Sequence, residues 1–256
     1  MHLITVAGLY IYPIKSCRGH AVERAVVTAR GLQDDRLLMI TDMDGYFLTQ
    51  REYPRMALIS PTLGEELLTL RAPGMTPLDL SIRTTGPTGQ TVIWRDNCQA
   101  IDQGEAVAAW LSTYLDANVR LVRMSDDFQR PVDPHYALRS TDQTSFADGY
   151  PVLLTSEESL ADLNERLAVP LPMNRFRPNI VVRGSDPFAE DQWHQIGIGA
   201  VTFDLVKPCA RCKITTIDQE AGTVAGPEPL ATFATFRRTD DGKVLFGQNM
   251  ISAEEG

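Results

Sequence analysis

The chain has 256 residues, 43% of them apolar and 22% charged, with a formal net charge of −9. That is the composition of an ordinary globular protein, long enough for one large domain or two smaller ones, and its acidity excludes a general nucleic-acid binder, which needs a basic face. No apolar run approaches the roughly 18 residues that cross a bilayer; the first residues lack a secretory pattern; and four unevenly spaced cysteines form no disulfide framework, which fits a reducing compartment.

Residues 3–12 are apolar and partly alternating, which predicts a strand. Pro13 ends its ladder for want of an N–H. Lys15, Ser16 and Arg18 follow in a loop closed by Gly19. A Lys-Ser pair with free backbone N–H groups suits an anion; taken alone, a plain basic turn is the better reading of this piece. Residues 22–27 predict a second strand, and residues 37–41 a third. Asp44-Gly45 supplies the positive φ of a hairpin turn, and residues 46–49 return as the partner strand. Arg36 enters this hairpin directly after Asp34 and Asp35, so a salt bridge to either is its plain reading. Short strands are predicted at 56–60, 67–71, 78–82 and 91–94, punctuated by glycine and proline, as in a barrel or sandwich.

Val107, Trp110, Leu111, Tyr114 and Leu115 share one face at helical spacing, and Asp102 with Glu105 resembles a capping box. Residues 119–122 predict another strand. Residues 124–150 are a long polar stretch, the kind that serves as a linker or a working loop. It sets a domain boundary, giving units 1–123 and 124–256. Residues 152–154 predict a strand. Thr155 and Glu158 then open a helix with capping-box spacing, and Leu160, Leu163 and Leu167 form its buried face. Arg175 and Arg177 precede a strand at 180–182; they suit an anion clamp or ion pairs with Glu190 and Asp191. Residues 193–206 predict a hairpin about Gly197 and Gly199. Gln248 and Asn249 offer donors and acceptors that suit a heterocycle edge or a plain turn.

Cys209 and Cys212 stand three apart, with Arg211 and Lys213 flanking the second. The spacing fits a zinc half-site, a dithiol redox pair, a disulfide or one ligand thiolate. A thioredoxin-like pair needs a helix N-terminus, whereas the β-branched run Ile214-Thr215-Thr216-Ile217 predicts a strand. A structural zinc needs four ligands, and Cys17 and Cys98 are isolated. A disulfide here closes too small a loop to gain much. Two readings remain: a thiolate whose cationic neighbours prepare it for a soft metal, or two reduced cysteines at a loop–strand junction. Lys15, Arg36 and Arg177 with Cys212 suggest an anionic ligand that carries such a metal.

Five motifs then carry a resemblance. Tyr-Pro-Ile-Lys-Ser-Cys-Arg-Gly at 12–19, Asp-Asp-Arg at 34–36, Phe-Arg-Pro-Asn at 176–179, Cys-Ala-Arg-Cys-Lys-Ile-Thr-Thr-Ile-Asp at 209–218 and Phe-Gly-Gln-Asn at 246–249 together resemble the MOSC family. They match best its branch of amidoxime-reducing components and their bacterial relatives, and they span nearly the whole chain. The resemblance implies a mainly β fold with a few helices (α+β): an N-terminal MOSC β-barrel-like domain, then a C-terminal MOSC β-barrel. It implies a molybdenum cofactor (Mo-molybdopterin) between the two. Cys212, not Cys209, is implied as molybdenum ligand and catalytic residue. Lys15, Ser16, Arg36 and Arg177 are implied to hold the phosphate and pterin, with Gly149, Tyr150, Asn179, Ala210 and Asn249 on the same pocket. Asn249 stands where relatives often have tyrosine.

The implied reaction is reduction of N-hydroxylated compounds, amidoximes and hydroxylamines, by oxygen-atom removal at molybdenum. No further cysteine cluster offers an iron–sulfur centre, so a separate flavin or iron–sulfur protein is implied as electron donor. Two competing readings stand beside it: a sulfur- or cofactor-carrier without turnover, and a non-catalytic β-protein with incidental cysteines. The family pattern usually continues one short strand past Asn249 and its tail, residues 252–256. No mitochondrial segment opens the chain, so the resemblance implies a bacterial, cytoplasmic protein with no membrane or nucleic-acid partner.

Overall fold

The computed structural model describes residues 3–64 and 67–253, so the tail at 254–256 lies outside the described residues. It is mostly β, as the resemblance implies. In chain order come strands β1 (Thr5–Ile11), β2 (His20–Val22), β3 (Val27–Thr28), β4 (Gly31–Leu32) and β5 (Leu38–Thr41). Strands β6 (Ser60–Leu63), β7 (Leu67–Arg71), β8 (Leu78–Ser81), β9 (Thr88–Ile93) and β10 (Asp96–Asp102) lead to helix α1 (Glu105–Leu115) and β11 (Arg120–Met124). Four strands, β5-β11-β10-β9, form one antiparallel sheet, and β6-β7-β8 form another. β5 is buried on both faces: Leu38 and Ile40 pack with Trp110, Leu111 and Tyr114 of α1, whereas Met39 faces Ile93, Val122 and Phe146. Alternation along a strand places neighbours on opposite faces, so one apolar strand serves two cores.

The second half contains β12 (Val152–Ser156), α2 (Glu157–Glu165), β13 (Ile180–Arg183), β14 (Gln195–Ile198), β15 (Val201–Ala210), β16 (Ile217–Asp218), β17 (Thr223–Val224), α3 (Leu230–Phe236) and β18 (Leu245–Ser252). A seven-stranded sheet runs β14-β15-β18-β12-β13-β1-β2. Its β12–β13 pair is parallel, joined through α2, as parallel neighbours require. The sheet does not follow the sequence division at residues 123 and 124. β1 pairs antiparallel with β13, Thr5 opposite Arg183 and Leu9 opposite Ile180. The chain therefore starts in the second unit's sheet, and the loop after β1 is delivered to that unit's face.

Several local expectations change. Residues 214–217 are not a strand: Lys213–Thr216 is a 3-10 turn, and β16 begins only at Ile217. The hydroxyls of Thr215 and Thr216 donate back to the carbonyls of Cys212 and Lys213, at 3.0 and 2.8 Å. Such local bonds compete with a ladder and overrule β-propensity. Residues 56–60 likewise begin as a 3-10 turn, Pro54–Leu58, with proline at its start. Residues 22–27 divide between β2 and β3, and 46–49 make only isolated bridges, Thr41–Phe47 and Tyr46–Val92. Neither capping box forms as read. Gly104 caps α1 without a side-chain bond, while Asp102 and Glu105 both pair with Arg120. Ser156, not Thr155, caps α2, its Oγ accepting from the Ser159 N–H.

Candidate functional site

A cavity of about 890 Å³ opens where the loop after β1, the turn before β5, the long loop before β12, the loop before β13 and the end of β15 meet. Lys15 and Ser16 come from the first of these and Arg36 from the second; Gly149 and Tyr150 end the third; Arg177 and Asn179 lie in the fourth. Ala210 ends β15, Cys212 lies two residues beyond, and Asn249 belongs to β18. All ten residues named from the sequence line this one cavity. Arg18 and Gln248 do not. Arg18 turns to Gln219 and Glu220, and the Gln248 side chain donates to Asp191.

The backbone here is strained. Of seven non-glycine residues with positive φ among the described residues, four line the cavity: Ser16 (64°), Arg36 (54°), Trp94 (56°) and Arg177 (54°). Each costs of order 1–3 kcal/mol and persists only where the surroundings over-determine it.

Lys15 is buried, and its Nζ donates to the Phe146 carbonyl at 2.9 Å and to Asp148 Oδ1 at 2.5 Å. Burial pushes its ammonium down to about 8, although Asp148 works the other way. Burial also opposes charge on Asp148, but Lys15, Arg51 and Arg36 outweigh it and hold that carboxyl well below the usual range. Arg130 fixes the segment that carries Asp148. It pairs with Asp96 at 2.7 Å and donates to the carbonyls of Ser145, Ala147 and Asp148. The polar stretch 124–150 is thus a pinned wall of the cavity.

Arg36 takes the plain partner expected of it: Nη1 lies 2.5 Å from Asp35 Oδ2. It also donates to Asn179 Oδ1 at 3.1 Å and to the Arg177 carbonyl at 3.2 Å. The Asn179 amide is engaged at both ends, accepting from Arg36 and the Leu153 N–H and donating to the Tyr10 carbonyl, so it orients Arg36. Arg177 has no carboxylate partner among the described residues. Burial pushes it down to about 10, and its buried Nη2 finds no hydrogen bond. The alternative pairing with Glu190 or Asp191 does not occur: Arg175 pairs with Asp218, Asp191 with Arg237, and Glu190 accepts from Ser159.

The four cysteines separate cleanly. Cys17 and Cys98 are fully buried, and burial pushes their thiols up to about 12 and about 11, so they are inert core residues. Cys209 and Cys212 face the cavity, each with its own arginine. Arg211 Nη1 lies 3.0 Å from Cys209 Sγ, and Arg51 Nη2 lies 3.1 Å from Cys212 Sγ. Arg51 is held over the Trp94 ring at 4.9 Å and near Asp148 at 3.8 Å. Cys212 heads the 3-10 turn whose back-bonded threonines displaced the expected strand.

Seven cationic and three acidic residues line the cavity of this net-acidic chain, a field that draws in anions. Three buried polar atoms on its wall, Arg177 Nη2, Arg211 Nε and the Tyr150 hydroxyl, have no partner among the described residues. Orphaned buried donors are costly, and an anion with several acceptor oxygens answers them. A thiol beside an arginine and an anion cradle together fit a phosphorylated group bearing a soft metal.

Arg51, Trp94, Asp148, Arg130 and Tyr12 were not singled out from the sequence. Arg51 follows Thr49-Gln50 in an irregular segment with no motif spacing, and Asp148 is one of many acids in a polar stretch. Tyr12 stood in a quoted motif, but its own position gave no reason to assign it a role.

The MOSC N-terminal beta barrel domain matches residues 3–118, and the MOSC domain matches residues 141–256. Mitochondrial amidoxime-reducing component 1 of Homo sapiens is 38% identical over 98% of this chain and 80% of its own length. Mitochondrial amidoxime reducing component 2 of Bos taurus is 36% identical over 92% of this chain and 73% of its own. A solution structure from Bordetella bronchiseptica, 23% identical over 46% of this chain and 89% of that one, gives a TM-score of 0.37 and bears no weight. With both domains matched in order and relatives this similar over nearly its whole length, the chain belongs to the MOSC family.

Proposed function

We propose that the cavity holds a molybdenum cofactor of the molybdopterin type and that the protein reduces N-hydroxylated compounds, amidoximes and hydroxylamines among them. One observation carries the reading: a single cavity gathers the Cys212 thiol, the buried Lys15 ammonium and an Arg177 guanidinium with an unanswered donor. The names of the relatives support the substrate class.

The bound group supplies two-electron oxygen-atom chemistry, which the protein orients and tunes. Lys15 and Arg177 would be among the cations that hold the phosphate, and Ser16 lies beside Lys15 in the same loop. Arg36, paired with Asp35 and aimed by Asn179, would join them at the phosphate and pterin. Cys212 would supply its sulfur to the metal, and Arg51, which donates to that sulfur, would fix its direction and moderate its charge. Tyr150, Ala210, Gly149 and Asn249 complete the wall. Asp148 is held ionised, so it acts as a hydrogen-bond acceptor for Lys15 and Trp94 and is no proton donor near neutral pH. Electrons come from a separate flavin or iron–sulfur protein.

The test is molybdenum content by mass spectrometry, with benzamidoxime reduction by reduced viologen, on protein from a host that makes the cofactor. Near-stoichiometric metal with turnover that Cys212→Ala abolishes is the expected result. No metal, under conditions that load a relative, overturns the reading. Metal without turnover of any N-hydroxylated compound favours a cofactor carrier.

A further inference from the structure

We infer that Tyr12 is the positioning residue that holds Arg36 and Arg177 together as one anion-binding pair. Tyr12 is 4% exposed and stands behind the cavity wall. The guanidinium carbons of Arg36 and Arg177 lie 4.5 and 4.3 Å from the centroid of its ring. Arg36 opposes the charge on Arg177, a repulsion that grows in a dry site. Asp35 pairs directly with Arg36 and lends Arg177 only a weaker attraction, the last among the causes acting on it. The ring face attracts both, and cation–π contacts strengthen as water is removed.

Tyr12 also ties together the two turns that carry the arginines. Its N–H donates to Asp35 Oδ1 at 2.9 Å, and its carbonyl accepts the Arg36 N–H at 2.7 Å. Its hydroxyl donates to the Pro178 carbonyl at 3.1 Å, next to Arg177. This one residue thus supports both strained backbones, whose φ is 54° at Arg36 and at Arg177. Gly19 leaves room for the ring, since a Cβ there would come within 2.4 Å of it. The ligand class is a phosphate ester or diphosphate. The inference rests on the cofactor reading only in taking that phosphate to be the cofactor's.

The test measures binding of inorganic pyrophosphate by calorimetry to the full chain made in a host without pterin synthesis. Folding of each variant is checked by its melting transition. Tyr12→Leu is expected to weaken binding about tenfold to thirtyfold, the scale of two partly desolvated cation–π contacts. Tyr12→Phe keeps the ring and is expected to stay within about threefold. In an Arg177→Gln background the effect of Tyr12→Leu is expected to shrink, because contacts that act together are not additive. If Tyr12→Leu does not fold, Gly19→Ala decides, since it displaces the ring with Tyr12 intact and is expected to weaken binding in the same way. The inference is overturned if the variants melt earlier yet bind pyrophosphate as the parent does, if the Tyr12 and Arg177 losses simply multiply, or if the parent binds no pyrophosphate. A chain that loads molybdenum and turns over without this coupling loses the Tyr12 role and keeps the cofactor. Coupling in a chain that never loads molybdenum does the reverse.

Discussion

Asp148→Asn removes the carboxylate of the Lys15 pair, and its cost depends on pH in a definite direction. The Lys15 side chain is 6% exposed and that of Asp148 is 57% exposed. Breaking a fully buried pair costs about 3–5 kcal/mol, and an exposed pair is worth about 0–1 kcal/mol. A half-buried pair lies between, about 2 kcal/mol. In a chain of this length that lowers Tm by about 4–8 °C. The loss is fully felt while Lys15 carries its proton. Burial sets its folded value at about 8 against an ordinary 10.5. Between those two values the unfolded chain binds a proton that the folded chain lacks, so this group makes stability rise with pH there. Above about 8 the folded Lys15 is neutral, and Asp148 has no ammonium left to attract. Asp148, held below its usual range, adds a second limit: the contribution is also lost in acid, as pH falls through its folded value. Scanning calorimetry of the cofactor-free parent and variant should show a large Tm difference at pH 6 that has mostly closed by pH 9.5. An equal difference at both pH values, or none at pH 6, refutes this account of the pair.

Four further outcomes follow from local geometry. Arg51→Gln removes a charge-assisted bond to the Cys212 sulfur, a bond class worth about 1.5–3 kcal/mol; turnover per bound molybdenum should fall about tenfold to a hundredfold, and unchanged turnover would sink the assignment of Arg51. Gly247→Ala forces a Cβ to 2.5 Å from the Leu154 carbonyl at φ 79°, so the denaturant midpoint should drop by the equivalent of about 2–4 kcal/mol. Gly149→Ala meets nothing within 4 Å and should stay within about 0.5 kcal/mol of the parent in the same titration. Asn179→Ala strips an acceptor from Arg36 and from the Leu153 N–H; a loss of about 2–4 kcal/mol in the same denaturant titration, together with weaker pyrophosphate binding, separates its orienting role from simple packing.

What the sequence reveals and what it hides divides along physical lines. The face of α1 was legible because helical spacing is a local signal, and Asp44-Gly45 because a turn demands its own residue types. The pairing of β1 with β13 was not, since nothing in residues 5–11 names a partner some 170 positions away. The turn after Cys212 misled for the opposite reason. Its three β-branched residues speak for a strand, but two threonine hydroxyls reach back to the backbone and settle the local contest.

The site shows the same division. Lys15, Arg36, Arg177 and Cys212 can be named from motif order, and all four line the one cavity. Arg51, Asp148 and Tyr12 act on those groups through contacts more than 100 residues apart in sequence: Arg51 with Cys212, Asp148 with Lys15, Tyr12 with Pro178. Two of these three side chains belong to the first unit and meet partners from the second. The reactive face thus reads from motifs, whereas its support appears only once the first strand is seen in the other unit's sheet. That placement has a mechanical consequence. Because β1 is fixed to β13 and leads directly into Tyr12 and Lys15, any change that loosens the β1–β13 pairing moves the anion cradle relative to Cys212. It should weaken anion binding before it unfolds either core.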